Sequence, residues 1–337
     1  MSIEMRDPIS NAGVVTQSLV SEVIMVSCGG AEVVAQKVHH ARAASLAAEA
    51  NRAVFLIDDF FDSAATASEL GAVQGDLVIS VPTVEEPSTN SVDNFTFRVL
   101  EEDERPPGVV VGFGGGTTLD SAKAVSNLLI NKGQAADYQG WDLLSRAGVH
   151  KIGVPTISGT GAETSRTCVL TNAQSHVKLG MNSKFSLFNT VVLDPSLSET
   201  VPRHQFFYTG MDTYMHSIES LSGRYRNPFA DALSREAVRL VREVFNSDDM
   251  MSYHSRTSLM TASSIGGMAI AGSYVGLIHP MSAALSVVFG THHGIANCMV
   301  MRAMKNFYPV EYAEFWRMAD NQEVEIPVLR GASLTQT

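Results

Sequence analysis

Three strongly apolar segments in the first third of the chain constrain its fold more than any other feature. They are AVFLIDD at 53–59, DLVISVP at 76–82 and GVVVGFGGG at 108–116. Near-continuous apolar segments of this length are typical of strands that are buried on both faces of a parallel sheet. Helix-like segments at 33–50 and 119–130 alternate with them, which favours a parallel sheet covered by helices on both faces.

The rest of the chain has a different pattern. A further strand runs into a loop in KIGVPTISGTGAE at 151–163, and after about Asp194 the strand signals fade. Helical segments follow at 206–221, 228–245, 256–274 and 281–289. We therefore predict an α/β domain with a parallel sheet over residues 1–194, followed by an all-helical domain over residues 195–337.

Charge and cysteine content argue against several classes of protein. The 337 residues carry a formal net charge of −11 without a basic block, which argues against a nucleic-acid partner. Cys28, Cys168 and Cys298 are far apart and form no CxxC pair, as expected of reduced thiols. Because the N-terminus lacks a signal-peptide pattern and no apolar run approaches about 20 residues, we expect a cytoplasmic protein without a membrane segment.

A glycine-rich loop joins the third apolar segment to the helix that follows it. Gly114, Gly115 and Gly116 let backbone N–H groups approach a phosphate closely, and Thr117 and Thr118 can cap the helix and donate hydroxyls. The spacing is neither the GxGxxG of the Rossmann fold nor a P-loop. Taken alone, the loop is either a phosphate site or a plain tight turn.

A second loop, PTISGTGAETS at 155–165, also follows a strand and is rich in small hydroxylated residues. Two such loops at strand ends of one sheet should line the same crevice, where open α/β sheets bind their ligands, so we predict nucleotide binding. Asp58 ends an earlier strand and can accept a hydrogen bond from a ribose hydroxyl, which would favour NAD over NADP. The alternative for Asp58 is a helix cap or a loop acid.

The helical half contains a candidate metal site. Asp212 and His216 are four residues apart, so both leave the same face of a helix. His279 and His293 would lie about 21 Å apart on one straight helix, so sharing a metal requires the chain to turn, and Gly290 supplies a break. One carboxylate and three imidazoles suit Fe²⁺ or Zn²⁺. The alternative is a set of buried histidines that are satisfied by local hydrogen bonds.

Four ordered motifs between about residues 27 and 304 resemble the iron-containing (group III) alcohol dehydrogenases. GGGTTLDSAKA is similar to their cofactor motif, and PTISGTGAETS is similar to their second cofactor loop. DPSLSETVPRHQFFYTGMDTYMHSIESLSG resembles their DxxxHxxE signature, and GLIHPMSAAL with THHGIAN resembles their paired-histidine region. The resemblance implies a fold like that of dehydroquinate synthase.

The resemblance also implies a ligand set and a mechanism. It places the metal ligands on Asp212, His216, His279 and His293. The metal would act as a Lewis acid on the alcohol oxygen, while a nicotinamide held over the crevice between the domains takes a hydride. The residues that would hold the dinucleotide are Gly115, Gly116, Thr117, Asp120, Thr156, Ser158, Thr160 and, on a looser alignment, Lys178.

The chain departs from the family pattern in two respects. Many members carry a further histidine four residues after the third ligand, where this chain has Ala283, so that residue's proton-relay role does not carry over. His292 is the candidate substitute, and its alternative is a surface histidine. Members also usually continue through further helices, so the end of the helical domain is left open.

The finer resemblance is to the branch that oxidises the C8 hydroxyl of 3-deoxy-manno-octulosonate, whose aldehyde product would serve an aminotransferase in lipopolysaccharide biosynthesis. The candidate cations for the sugar-acid carboxylate are Arg166, Lys184, Arg224 and Arg226. That branch leaves the electron acceptor open between a nicotinamide and oxygen. The alternatives are a dehydrogenase of a simple alcohol, diol or aldehyde, and a catalytically silent, metal-stabilised subunit. The family suggests a homodimer formed through an edge strand.

Overall fold

The first part of the chain is organised around a parallel sheet. Its described elements are β1 (Glu22–Met25), α1 (Gly30–Ala44), β2 (Ala53–Asp58), α2 (Ser63–Glu69), β3 (Leu77–Val81), α3 (Thr89–Glu102), β4 (Val109–Gly114), α4 (Gly116–Leu128), β5 (Gly140–Trp141), β6 (Lys151–Pro155), β7 (Thr167–Thr171), β8 (Lys178–Asn182) and β9 (Thr190–Leu193). Six strands form the sheet in the order β1-β9-β6-β4-β2-β3, with every pair parallel.

Two of the three apolar segments identified in the sequence, at 53–59 and 108–116, form the neighbouring inner strands β2 and β4, whereas the segment at 76–82 forms β3 at an edge of the sheet and is only partly buried. Every residue of β2, β4 and β6 is buried, as are most residues of α4. Phe55, Val111 and Ile152 belong to a core that also includes Val34 and Val38 of α1. The predicted parallel sheet with covering helices is confirmed. The predicted helix at 33–50 begins at Gly30, and its residues 45–50 lie outside the described residues.

A small second sheet joins β5, β8 and β7 in that order, with β7 and β8 antiparallel. The sequence pattern does not predict this sheet. Its strands are at most five residues long and only partly buried, so they lack the apolar character that marks the main sheet.

Helices make up the second part of the chain. They are α5 (Arg203–Ser222), α6 (Pro228–Phe245), α7 (Tyr253–Ser273), α8 (Ile278–Phe289), α9 (His293–Val300) and α10 (Pro309–Asn321). Buried side chains of α5, α6 and α10, including Phe207, Phe245 and Phe315, form their core. In the described part of the chain, no single helix combines the length and apolar composition needed to cross a membrane. Helices α7 and α8 meet that test only together, as a pair bent by 104°.

The structure, a computed structural model, describes residues 22–44, 51–84 and 86–328, which divide into two units. The α/β unit contains the described residues up to 157 together with Ala162–Leu197, and the helical unit contains 198–328 together with Ser158–Gly161. This short segment packs tightly on α5, because Gly159 has a φ of 152° and a Cβ there would lie 1.9 Å from the carbonyl oxygen of Thr209. Only glycine fits such a position.

Candidate functional site

Helix α5 carries the first group of polar side chains. Asp212, His216 and Glu219 follow each other at intervals of four and three residues, so they lie along one face of the helix. All three are buried, with exposed fractions of 1%, 6% and 0%. Ionisable side chains are rarely buried unless they are paired with one another or bind a metal, so this face needs partners from other helices.

Helices α8 and α9 supply those partners. Helix α8 ends at Phe289 and is followed by Gly290, whose φ of 64° is left-handed, and α9 begins at His293. The chain turns where the sequence analysis placed the break, and both histidines reach Asp212. The Nε2 atoms of His279 and His293 lie 3.0 and 3.6 Å from Oδ1 of Asp212. The Nε2 atom of His216 lies 3.7 Å from the same oxygen.

The arrangement fits a divalent metal ion. One ligand atom from each of Asp212, His216 and His279 lies within 4.8 Å of the others. The second carboxylate oxygen of Asp212 is buried and has no hydrogen-bond partner among the described residues. Burying such an oxygen costs free energy unless it accepts a hydrogen bond or binds a metal ion. Carboxylate oxygen and imidazole nitrogen are ligands that Zn²⁺ and Fe²⁺ accept.

The surroundings of Asp212 and His216 shift their pKa values toward the protonation states that bind metals. Burial acts to raise the pKa of Asp212, but the attraction of His216 and His293, when they are protonated, and the hydrogen bond with His279 outweigh it and hold that pKa below its usual range. Burial lowers the pKa of His216 to about 4 despite the attraction of Asp212. Asp212 is therefore an anion and His216 a neutral imidazole near pH 7, which are the forms that bind metals.

His279 is different because two carboxylates contact its ring. Burial acts to lower the pKa of His279, but Glu219 and Asp212 outweigh it and raise that pKa to about 10. The rings of His279 and His216 are stacked, with centroids 4.2 Å apart. Metal binding at Nε2 requires a neutral imidazole, so His279 must release a proton when a metal binds.

The sequence analysis assigned no role to two further residues of this site, although Glu219 is the last residue of the DxxxHxxE signature. Glu219 accepts hydrogen bonds from Nδ1 of His279 and from the backbone N–H of Ile278. Asn297 donates from Nδ2 to Oδ1 of Asp212 at 2.7 Å, and its Nδ2 lies 3.2 Å from Nε2 of His293. Helical spacing was the available signal, because Glu219 lies one turn after His216 and Asn297 one turn after His293.

The proposed proton-relay residue lies outside this group. His292 immediately precedes α9 and is exposed, and its side chain does not cap the helix. Ala283 lies half-buried in α8. The role of His292 stays a prediction.

The glycine-rich loop lies where β4 meets α4 in the α/β unit. Gly114 ends the strand, Gly115 is the N-cap of the helix and Gly116 begins it. Thr117, in the first turn of α4, is half-buried. Backbone N–H groups at a helix N-terminus attract phosphate groups.

Asp58 contacts this loop from the neighbouring strand. It ends β2, and its carboxylate accepts hydrogen bonds from the backbone N–H groups of Phe60 and Gly115. Burial raises its pKa, and those two hydrogen bonds oppose the rise. The residue predicted to contact a ribose therefore lies beside the loop predicted to contact a phosphate.

Asp120 and Lys123 connect α4 to the second loop. Asp120 pairs with Lys123 at 2.8 Å and accepts a hydrogen bond from the backbone N–H of Val169 at 2.9 Å. Lys123 is fully buried and donates to the carbonyl oxygen of Ala162 at 2.8 Å. Asp120 therefore has partners within the protein, and its contact with a dinucleotide stays a prediction. Lys123 was not among the residues predicted from the sequence.

The second loop is held from both ends. Thr156 donates its backbone N–H to the carbonyl oxygen of Gly114 at 3.1 Å. Further along, Ser263 of α7 accepts hydrogen bonds from the backbone N–H groups of Gly159 and Gly161, while Thr213 of α5 donates to the carbonyl oxygen of Gly159 at 2.7 Å. Between these points, Ser158 is buried and its hydroxyl has no partner among the described residues. Thr160, the remaining hydroxylated residue predicted to contact the cofactor, is half-buried.

The other residues predicted to bind cofactor or substrate have neighbours of their own. Lys178 of β8 pairs with Glu86. Arg166 pairs with Asp142, and Arg226 pairs with Asp231. Lys184 lies over the ring of Phe185, and Arg224 lies over the ring of Tyr225.

Comparisons with known proteins agree with this architecture. The model of the iron-containing alcohol dehydrogenase family matches residues 31–195, and the model of the C-terminal part of the Fe-containing alcohol dehydrogenase family matches residues 206–320. Together they cover both the glycine-rich loops and the helices that carry the histidines. The chain belongs to the iron-containing alcohol dehydrogenase family.

Individual relatives are similar over part of their length. The sulfoacetaldehyde reductase of Bilophila wadsworthia (strain 3_1_6) is 34% identical over 215 residues, which are 63% of this chain and 54% of that protein. The chain spans about half the length of the curated relatives it matches.

Solved structures share the fold. A 1,3-propanediol oxidoreductase aligns with a TM-score of 0.78 at 20% identity, covering 94% of this chain and 88% of the other. The sulfoacetaldehyde reductase from Bifidobacterium kashiwanohense, solved in complex with NAD⁺, aligns with a TM-score of 0.75 at 20% identity and the same coverage. The predicted fold, a parallel-sheet domain followed by a helical domain as in dehydroquinate synthase, is confirmed.

Proposed function

We propose that this protein is a metal-dependent, nicotinamide-linked oxidoreductase that interconverts a primary alcohol and its aldehyde. The observation that carries the proposal is the convergence of Asp212, His216 and His279, whose ligand atoms lie within 4.8 Å of one another in a member of this family. His293 completes the set from α9.

Each group of residues has a separate task in this proposal. Asp212, His216, His279 and His293 would hold the divalent ion, which supplies Lewis-acid polarisation of the substrate oxygen when bound. Asp212 contributes negative charge, and His216 contributes a neutral nitrogen in surroundings that exclude water. The glycine-rich loop and the N-terminus of α4 would hold the phosphates of NAD, and Asp58 would accept from its ribose.

The substrate class that we favour is a small alcohol or aldehyde. The relatives named above are a sulfoacetaldehyde reductase and a 1,3-propanediol oxidoreductase, whose names refer to small molecules. Two of the four cations predicted for a sugar-acid carboxylate, Arg166 and Arg226, are already paired with carboxylates. An arginine with such a partner is less available to a second one.

Oxidation of the C8 hydroxyl of 3-deoxy-manno-octulosonate stays a separate prediction. Its support is the sequence resemblance, together with Lys184 and Arg224, which have no carboxylate partner among the described residues. The homodimer through an edge strand also stays a prediction, and β1 and β3 lie at the two edges of the described sheet.

Substrate-panel kinetics tests the proposal. Protein reconstituted with Fe²⁺ or Zn²⁺ is assayed with NAD against ethanol, 1,3-propanediol and 3-deoxy-manno-octulosonate, and with NADH against small aldehydes. Metal-dependent turnover of a small alcohol or aldehyde supports our choice, and preferential turnover of the sugar acid supports the other prediction. Absence of NAD-linked turnover with every substrate from metal-loaded protein would contradict the proposed activity.

A further inference from the structure

Glu219 contacts both a histidine of the candidate metal centre and the start of helix α8. It lies on α5, two turns after Asp212, and none of its surface is exposed. Its two carboxylate oxygens face different groups of the same neighbouring segment. Oε1 accepts the backbone N–H of Ile278 and lies 3.4 Å from the backbone nitrogen of His279, while Oε2 accepts from Nδ1 of the His279 ring.

The first oxygen acts as a helix cap. The first N–H groups of a helix have no partner within the helix and need an acceptor from elsewhere. Leu277, the residue before α8, has no side-chain oxygen to offer. Glu219 supplies the acceptor from another helix and so fixes where α8 begins relative to α5.

The second oxygen selects one nitrogen of the imidazole. An ionised carboxylate only accepts hydrogen bonds, so Nδ1 of His279 must carry the proton that Glu219 accepts. The remaining nitrogen, Nε2, lies 3.0 Å from Oδ1 of Asp212 and faces the other histidines. Glu219 contacts only this histidine directly among the four candidate ligands, as far as the described residues show.

We propose that Glu219 is a positioning residue of the metal centre, which holds His279 as the tautomer protonated on Nδ1 so that Nε2 is its metal-binding atom. This inference rests on the proposed function, because it requires that the centre binds a metal. In proteins whose metal-bound histidines have such partners, removing the partner typically weakens metal binding about 10–100-fold.

The substitution Glu219→Gln separates the two tasks of this side chain. Glutamine keeps one oxygen, which still accepts from the N-terminus of α8. Its amide nitrogen then faces Nδ1 of His279, where it can only donate. His279 is thereby driven to the other tautomer, with the proton on Nε2, where it blocks the metal.

A matched control is available in the same unit. Glu314 of α10 accepts hydrogen bonds from the hydroxyl of Tyr214 and from Arg242, both at 2.7 Å, and none of its described partners is a candidate metal ligand. Glu314→Gln also removes a carboxylate that is hydrogen-bonded inside the helical unit. It should lower stability without changing metal affinity.

The experiment measures the dissociation constant of Co²⁺ and Zn²⁺ by competition with a coloured chelator for the wild-type protein and both variants, together with the Co²⁺ absorption spectrum. We expect about 10–100-fold weaker binding and an altered spectrum for Glu219→Gln only. Binding within twofold of wild type, with a lower Tm, would show that Glu219 is merely structural and overturn the inference. If the wild-type protein itself binds neither metal, the proposed metal centre fails instead.

A second measurement does not depend on the variant folding. ¹⁵N NMR of Zn²⁺-loaded wild-type protein labelled at histidine reports which ring nitrogen carries the proton. We expect His279 to show a protonated Nδ1 and a metal-bound Nε2. A protonated Nε2 on His279 would overturn the inference.

Discussion

Nε2 of His279 lies 3.0 Å from Oδ1 of Asp212, although the two residues are 67 positions apart in the chain. The contact joins α5 to α8 inside the helical unit, where both side chains are buried. It brings two types of metal ligand, carboxylate and imidazole, to one point.

Replacing His279 should separate metal binding from dinucleotide binding. His279→Ala removes a candidate metal ligand. Loss of a residue that only hydrogen-bonds to a ligand can cost roughly 100-fold, so metal-dependent turnover should fall by more than that. NAD binding, measured by fluorescence titration, should change little because its candidate residues lie elsewhere. His254→Ala is the control, since His254 is exposed and pairs with Glu243. Equal loss of both kinds of binding would mean that the two sites are not separate.

Asp58 should set the preference for NAD over NADP. Asp58→Ala removes an acceptor for the ribose and the negative charge that repels a 2′-phosphate, so kcat/KM should fall about tenfold for NAD and less, or not at all, for NADP. Asp59→Ala is the matched control, because Asp59 bonds the hydroxyl of Thr83 at 2.7 Å. An unchanged NAD-to-NADP ratio in Asp58→Ala would remove Asp58 from the site.

Ser263 should matter for the dinucleotide through the second loop. Ser263→Ala leaves the buried N–H groups of Gly159 and Gly161 without their acceptor, at a cost of about 1–3 kcal/mol each. We expect lower stability to denaturant and a higher Kd for NAD, with metal affinity unchanged. The control is Ser273→Ala, also in α7, which loses a buried hydrogen bond to Ser220 of α5 and should lower stability alone. The same Kd for NAD in both variants would show that the loop does not need Ser263.

Lys151 should make stability depend on alkaline pH. Its side chain is only 3% exposed, and burial lowers its pKa from 10.5 to about 8, with the charge of Lys123 acting in the same direction. The unfolded chain therefore binds more protons between about pH 8 and 10.5, so this residue's contribution to the free energy of unfolding rises with pH by about 3 kcal/mol.

Substitution by an apolar residue should remove that dependence. Lys151→Met should be more stable than the wild-type protein near pH 7 and should lose most of the rise above pH 8, measured by guanidinium unfolding. Lys132→Met, at an exposed position, serves as the control. A pH profile of Lys151→Met that parallels the wild-type profile would contradict a lowered pKa for Lys151.

Much of the architecture could be predicted from local sequence, because strand and helix patterns are local. The predicted strands at 53–59, 76–82 and 108–116 match β2, β3 and β4 to within two residues. The break at Gly290 could be predicted because glycine readily adopts the left-handed conformation that ends α8. The small sheet escaped prediction because its short strands depend on pairing with one another rather than on burial.

The candidate metal ligands could be predicted from the sequence, but their hydrogen-bond partners could not. The helical spacing of Asp212 and His216 can be read from the sequence, whereas the bond from Glu219 to His279 joins residues 60 positions apart. The same limit applies to Arg226. As a lone cation in the sequence it was a candidate for the substrate carboxylate, while in the fold it pairs with the buried Asp231.

The most direct test of the central claim is the metal content of the protein by elemental analysis after anaerobic reconstitution with Fe²⁺ or Zn²⁺ and removal of excess metal. We predict about one divalent ion per chain for the wild-type protein and for His254→Ala, and far less for His279→Ala and Asp212→Ala. Wild-type protein that retains no ion would contradict the account, and would mean that Asp212, His216 and His279 form a purely structural cluster.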